Sequence, residues 1–225
     1  MSWSECLYQY HKKYGGQLLA GGDEDALLVL TWKDRPLAVD LSHYVSSGRG
    51  GVSSAYFVRA RVPVTLGKPY KLTVGAEKKL SGGVNAVLKM VPEVAGFSAD
   101  FGYPEVTQKR LIRTENVPFT KLVLSSLELR TALLACPGEK VEVLPGPGGE
   151  GLHLIAVTTA SALYSFGGDG GGWYVGSGGE YTEIYGSEEE KAKEARRAEE
   201  EFFPRMDRFL DLARAAYNAV TQWPM

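Results

Sequence analysis

The chain has 225 residues, 44% of them hydrophobic and 23% charged, with a formal net charge of −2. Those proportions fit one globular domain or two small ones and exclude a disordered or collagen-like chain. The longest strongly apolar run, residues 26–30, is far shorter than the roughly 20 residues that cross a bilayer, and no signal-peptide pattern opens the chain, so a cytoplasmic protein is expected.

Near the start, Trp3, Leu7, Tyr10 and Tyr14 recur at spacings of four, three and four, which predicts an amphipathic helix stopped by Gly15 and Gly16. Residues 26–32 read as a buried strand, 33–36 as a turn and 37–41 as the partner strand of a β-hairpin. After a loop at 46–54, Tyr56, Val58, Ala60, Val62 and Val64 alternate with Phe57, Arg59 and Arg61, the period of a strand with one wet face. Tyr70, Leu72 and Val74 repeat the alternation with Lys71 and Thr73 opposite. Both strands favour antiparallel pairing.

Residues 109–114 predict another strand. Ser125 and Glu128 then have capping-box spacing at the head of a short helix, 126–135, that buries Leu129 and Leu133 with Ala132 nearby. Pro137 and Gly138 close it. Residues 140–144 and 152–158 read as strands around a Gly/Pro loop, and 163–166, 173–175 and 181–185 as shorter ones. From 187 onward the pattern is helical, with Ser187 and Glu190 at capping-box spacing and Pro204 placed to kink or restart the helix. Beyond it, Met206, Phe209, Leu210, Ala213, Tyr217 and Val220 form one buried stripe. Before it, over residues 187–201, Ala192, Ala195 and Ala198 are the only apolar residues among many charges, so that stretch is expected to face solvent or a second subunit. The fold class expected is α+β: residues 1–186 form one domain of antiparallel meandering sheet with a short internal helix, and the helices of 187–225 pack on it.

Gly102-Tyr103-Pro104-Glu105, a strand, the helix that carries Leu129 and Leu133, and Val141-Glu142-Val143 together resemble a pattern in a family of uncharacterised prokaryotic proteins. The resemblance covers residues 102–144 and implies a strand, helix, strand unit inside a mixed α and β domain. It implies no catalytic or binding residue. Relatives often carry an aromatic-Asp pair after the Gly-x-x-Glu turn, where this chain has Val106-Thr107.

Gly146, Gly148 and Gly151 match G-x-G-x-x-G, but Pro147 and the apolar strand that follows leave no helix N-terminus for a pyrophosphate, so a hairpin loop is expected instead. P-loop, zincin, nucleophile-elbow and EF-hand signatures are missing from the sequence. Cys6 and Cys136 are the only cysteines and have no metal-ligand spacing, so no disulfide framework, structural zinc or cofactor is expected. His11, His43 and His153 fall in separate elements. His153, between Leu152 and Leu154, is expected on the solvent face of its strand, and Cys136, at a helix C-terminus, is a poor nucleophile.

Charge is unevenly spread along the chain. Between 44 and 92 stand eight basic residues against one acid, and between 93 and 186 eleven acids against six bases. The two stretches either neutralise each other in the fold or leave a basic face that attracts an anion. The loop 46–54 has the hydroxyls, glycines and Arg49 of an anion cradle, or is a linker. The glycine-rich stretch 167–172 before Trp173 either admits a ring-shaped ligand or is a hairpin tip.

Three functions follow as expectations. The first is a non-enzymatic binding or assembly protein whose partner, another protein or a second copy, engages the sheet face or the helix of 187–203. The second is an anion or single-stranded nucleic-acid binder using Arg49, Arg59, Arg61, Lys71 and Trp173. The third is an enzyme assembled around His43, Asp40 and Arg49.

Overall fold

The structure is a computed structural model that describes residues 3–19, 26–48, 51–77, 100–147, 151–159, 173–175, 181–183 and 187–224. The α+β class holds. Eight strands share one sheet: β1 (Gln17–Leu19), β2 (Leu27–Trp32), β3 (Arg35–Gly48), β4 (Gly51–Thr65), β5 (Leu72–Glu77), β6 (Arg110–Thr114), β7 (Glu139–Pro145) and β8 (Leu152–Thr159). Their order is β1-β2-β3-β4-β8-β7-β5-β6, and β9 (Trp173–Val175) and β10 (Tyr181–Glu183) form a separate antiparallel pair. No helix among the described residues is long and apolar enough to cross a membrane.

By its internal contacts the chain divides into two compact units, one of Met1–Ala60 with Thr159–Asp207, the other of Arg61–Thr158 with Arg208–Met225. In the first, α1 (Trp3–Tyr14) buries Trp3, Cys6, Leu7 and Tyr10, while Tyr14 stays exposed. Trp3 Nε1 donates to the Ala26 carbonyl at 2.9 Å, tying the helix to the start of β2. The helix ends at Gly15 and Gly16, both at positive φ. A Cβ on Gly16 would stand 2.7 Å from the Val29 carbonyl oxygen, so the close approach of β2 demands glycine there.

The first hairpin turns on two residues rather than four. Lys33 and Asp34 both have positive φ, as a type I′ turn requires, and Arg35 and Pro36 already pair with Trp32 and Thr31. The expected loop at 46–54 is also corrected, because β3 runs to Gly48 and β4 starts at Gly51. The β-branched Val45 and Val52 extend the strands through serines that read locally as loop.

The C-terminal helical segment is continuous. α5 (Glu188–Arg197) passes through a π-helical turn, Ala198–Phe202, into α6 (Phe203–Thr221). Pro204 has no N–H to give the Glu200 carbonyl, and the wider turn, in which Phe203 N–H donates to Ala198 O, absorbs it without breaking the helix. Phe202 and Phe203 are buried against α1. Tyr10 meets both rings edge-on, with the Phe203 centroid 5.3 Å away, and its hydroxyl donates to Asp207 Oδ1 at 2.6 Å. The stripe from Met206 to Val220 is buried as expected, together with Leu212, Ala215, Ala216 and Ala219, so burial of α6 is wider than one stripe.

In the second unit, β5 lies between β6 and β7 and is antiparallel to both. Two residues of β5, Gly75 and Ala76, oppose the single Leu111 of β6, forming a β-bulge. The turn α2 (Pro104–Thr107) precedes β6, and two helices follow it. α4 (Leu127–Ala135) was expected. α3 (Val117–Ser125) was not, and it is capped by Asn116, whose Oδ1 accepts from Phe119 N–H at 3.0 Å. The cap of α4 is Ser126, one residue past the expected Ser125. The C-terminal end of α6 is fastened by Asn218 to the Glu128 carboxylate, and the residues beyond it by Trp223 Nε1 to the Leu122 carbonyl.

Candidate functional site

Alternation along β4 puts Val58, Ala60, Val62 and Val64 in the core and turns Arg59 and Arg61 to the other, half-buried face. Arg59 is engaged there. Its Nε and Nη2 donate to Asp40 Oδ1 at 3.1 Å and Oδ2 at 2.7 Å, a two-pronged pair across β3 and β4. Lys71 pairs with Glu115 at 3.2 Å, both more than half exposed, so this contact adds at most about 1 kcal/mol. In the sheet, β8 and β7 stand between the strand of Arg61 and the strand that follows Lys71. Two of the named cations are therefore neutralised locally, and Arg61 and Lys71 do not share one strand pair. Arg49 lies outside the described residues. Trp173 opens β9, where it pairs with Glu183 of β10.

Of the residues proposed for chemistry, Asp40 and His43 share β3, Asp40 is held by Arg59, and Arg49 falls outside the described residues. His153 is not on a solvent face but buried. Its Nε2 accepts from Tyr70 N–H at 3.0 Å, which leaves Nδ1, 3.0 Å from the Gly151 carbonyl, as the donor. Both faces of β8 are apolar, Leu152 and Leu154 on one and Ile155 and Val157 on the other, so alternation alone did not fix which way His153 points. The strand β8 also places a sheet, not a helix, after the Gly146 loop, and Gly146 N–H closes the hairpin on Leu152 O at 2.8 Å. Cys136 is buried and its thiol is pushed up to about 11, first by burial and then by Glu139. Its Sγ donates to the Arg208 carbonyl at 3.5 Å, and a thiol so protonated is no nucleophile at neutral pH.

The most heavily bonded polar group was not anticipated. Arg110 is 2% exposed. Its Nη1 donates to Gly75 O at 2.9 Å and Glu139 O at 2.8 Å, and its Nη2 to Leu133 O at 2.6 Å and Cys136 O at 2.5 Å. One guanidinium therefore joins β5 to β7 and caps the C-terminus of α4. Burial lowers the Arg110 pKa, while Glu77 and Glu139 oppose that shift. The Glu139 carboxyl is raised by burial despite Arg110 and Arg208, and its Oε2 is buried without a hydrogen bond. Arg130 works similarly, donating to Leu124 O and Ser125 O at the end of α3, pairing with Glu105 at 3.0 Å and stacking 4.1 Å from the Tyr103 ring. Period two shows the first of these in the sequence, since Arg110 shares its face with Ile112.

Arg110, Arg130 and His153 are committed to backbone groups, and among the described residues no cluster of three His, Cys, Asp or Glu side chains is placed to hold a metal. One exposed surface among the described residues is α5. Glu189, Ala192, Lys193 and Arg196 are exposed there, while Ala198, Phe202 and Phe203 just beyond are buried. Its three leading residues are acidic, Glu188 to Glu190, and its last two basic, Arg196 and Arg197. Lys13 of α1 reaches the segment from the side, pairing with Glu199 at 3.3 Å and lying over the Phe203 ring at 5.1 Å. No family model, curated protein or solved structure matches the chain.

Proposed function

We propose that this protein is a non-enzymatic assembly protein that associates with a second copy of itself through α5. The observation that carries the reading is the order of charge along an exposed helix with an anchored end. On the exposed face an acid leads and a base follows, Glu189 and Arg196 seven residues apart, so two copies laid antiparallel about a two-fold axis set Glu189 of each against Arg196 of the other. The exposed Ala192 lets the two helices approach closely without an obstructing side chain. The same order complements the dipole of each helix, so it stabilises the isolated element as well. Anchoring of Ala198, Phe202 and Phe203 supplies a fixed base, which limits the entropy lost on pairing.

Sedimentation of the full chain across protein concentration and ionic strength tests this reading. A dimer that dissociates on dilution, and more readily as salt screens the facing charges, is expected. A monomer at every concentration in low salt, or turnover of a substrate by the chain, overturns it. Anion binding has less support, because Arg59 and Lys71 already have carboxylate partners.

A further inference from the structure

We propose that the outer edge of β6 receives an extended acidic peptide as a ninth strand. β6 is the last strand of the sheet and pairs only with β5, so alternate N–H and C=O groups of Arg110–Thr114 point away from the ladder. Among the described residues no backbone group pairs with that side. The strand is held rigidly for such a role. Arg110 pins it from within to β5, β7 and the end of α4. A peptide added there would order itself against a backbone that is already fixed.

Charge selects the occupant. Lys109 and Arg113 are exposed at the two ends of this edge, and among the described residues neither side chain has a hydrogen-bond, ion-pair or ring partner. Three other cations of the same unit are matched: Lys71 with Glu115, Arg130 with Glu105, Lys140 with Glu142. Unmatched positive charge at a sheet edge opposes pairing with a second copy of the same edge, where Lys109 and Arg113 would meet their own kind. Those charges favour a strand carrying Glu or Asp at alternate positions. The edge shares no residue with α5, so either contact can fail without the other.

The probe is a fluorescein-labelled ten-residue peptide of alternating Glu and Val, titrated into the full-length protein, with a Lys and Val peptide as control. Binding of the acidic peptide alone is expected, weakening with ionic strength, with slowed amide exchange within 110–114. The Lys109→Glu/Arg113→Glu variant should bind about tenfold or more weakly. Lys109→Gln/Arg113→Gln, which adds no repulsion and should leave the fold intact by circular dichroism, should fall between it and the natural chain. Unchanged affinity in the folded Gln variant, protection outside 110–114, or equal binding of the Lys and Val peptide overturns the proposal. So does a single-stranded oligonucleotide that displaces the peptide without slowing exchange in β6.

Discussion

A buried guanidinium is costly unless its N–H groups find acceptors, and Arg110 meets that demand with four backbone carbonyls from three elements. Arg110→Met keeps much of the volume but orphans those carbonyls. Urea unfolding should register a loss of about 3 kcal/mol or more, and a loss below about 1 kcal/mol would show that the carbonyls find other donors. Glu139 beside it responds oppositely. Burial raises its carboxyl above the ordinary value, so the folded chain takes up the proton more readily than the unfolded one. Its ionised form therefore costs stability at neutral pH, and that cost is relieved as pH falls through the raised value. Glu139→Gln should melt higher than the natural chain at pH 7, with the advantage shrinking towards acid, as thermal melts at several pH values would report. Arg110 was missed, although period two puts it with Ile112 in the core. His153 was not legible, because β8 is apolar on both faces and its partner, Tyr70 N–H, is remote in sequence.

Helix caps decide the next scale. Ser126 ends α3 in an extended conformation and begins α4, its Oγ accepting from Leu129 N–H at 3.3 Å. Ser125 instead donates back to Leu122 O. Ser126→Ala should therefore cost about 1 kcal/mol by denaturant unfolding, and Ser125→Ala clearly less. The reverse ranking would restore the cap that spacing alone suggested. α3 escaped the sequence reading because Val117, Phe119, Thr120 and Val123 favour a strand, and only Asn116 and Pro118 announce a helix start. The α1 and α6 patterns were readable because each buries a long stripe at three-and-four spacing. The π turn was only half readable: Pro204 signals a disturbance, but whether it breaks or widens the helix depends on what holds the flanking turn. Here Phe202 and Phe203 pack with Tyr10 on α1. Phe202→Ala should cost about 3 to 5 kcal/mol in the same assay, far more than a change at exposed Lys193.

For the whole molecule, the α+β class followed from alternation and helical spacing, whereas the strand order did not. β8 and β7 enter between β4 and β5, a placement that depends on contacts far apart in sequence. The basic segment was equally a matter of tertiary pairing, since Asp40 and Glu115 engage Arg59 and Lys71 from other elements. What local sequence does display is the charge order of α5, and self-assembly through that helix is tested most directly by charge exchange. One variant carries Glu188→Lys, Glu189→Lys and Glu190→Lys, the other Arg196→Glu and Arg197→Glu, and native mass spectra are recorded for each alone and for an equal mixture. Dimers of the natural chain, monomers of each variant and a mixed dimer when the two are combined are the predicted result. A natural chain that stays monomeric, or variants that still dimerise alone, would contradict it.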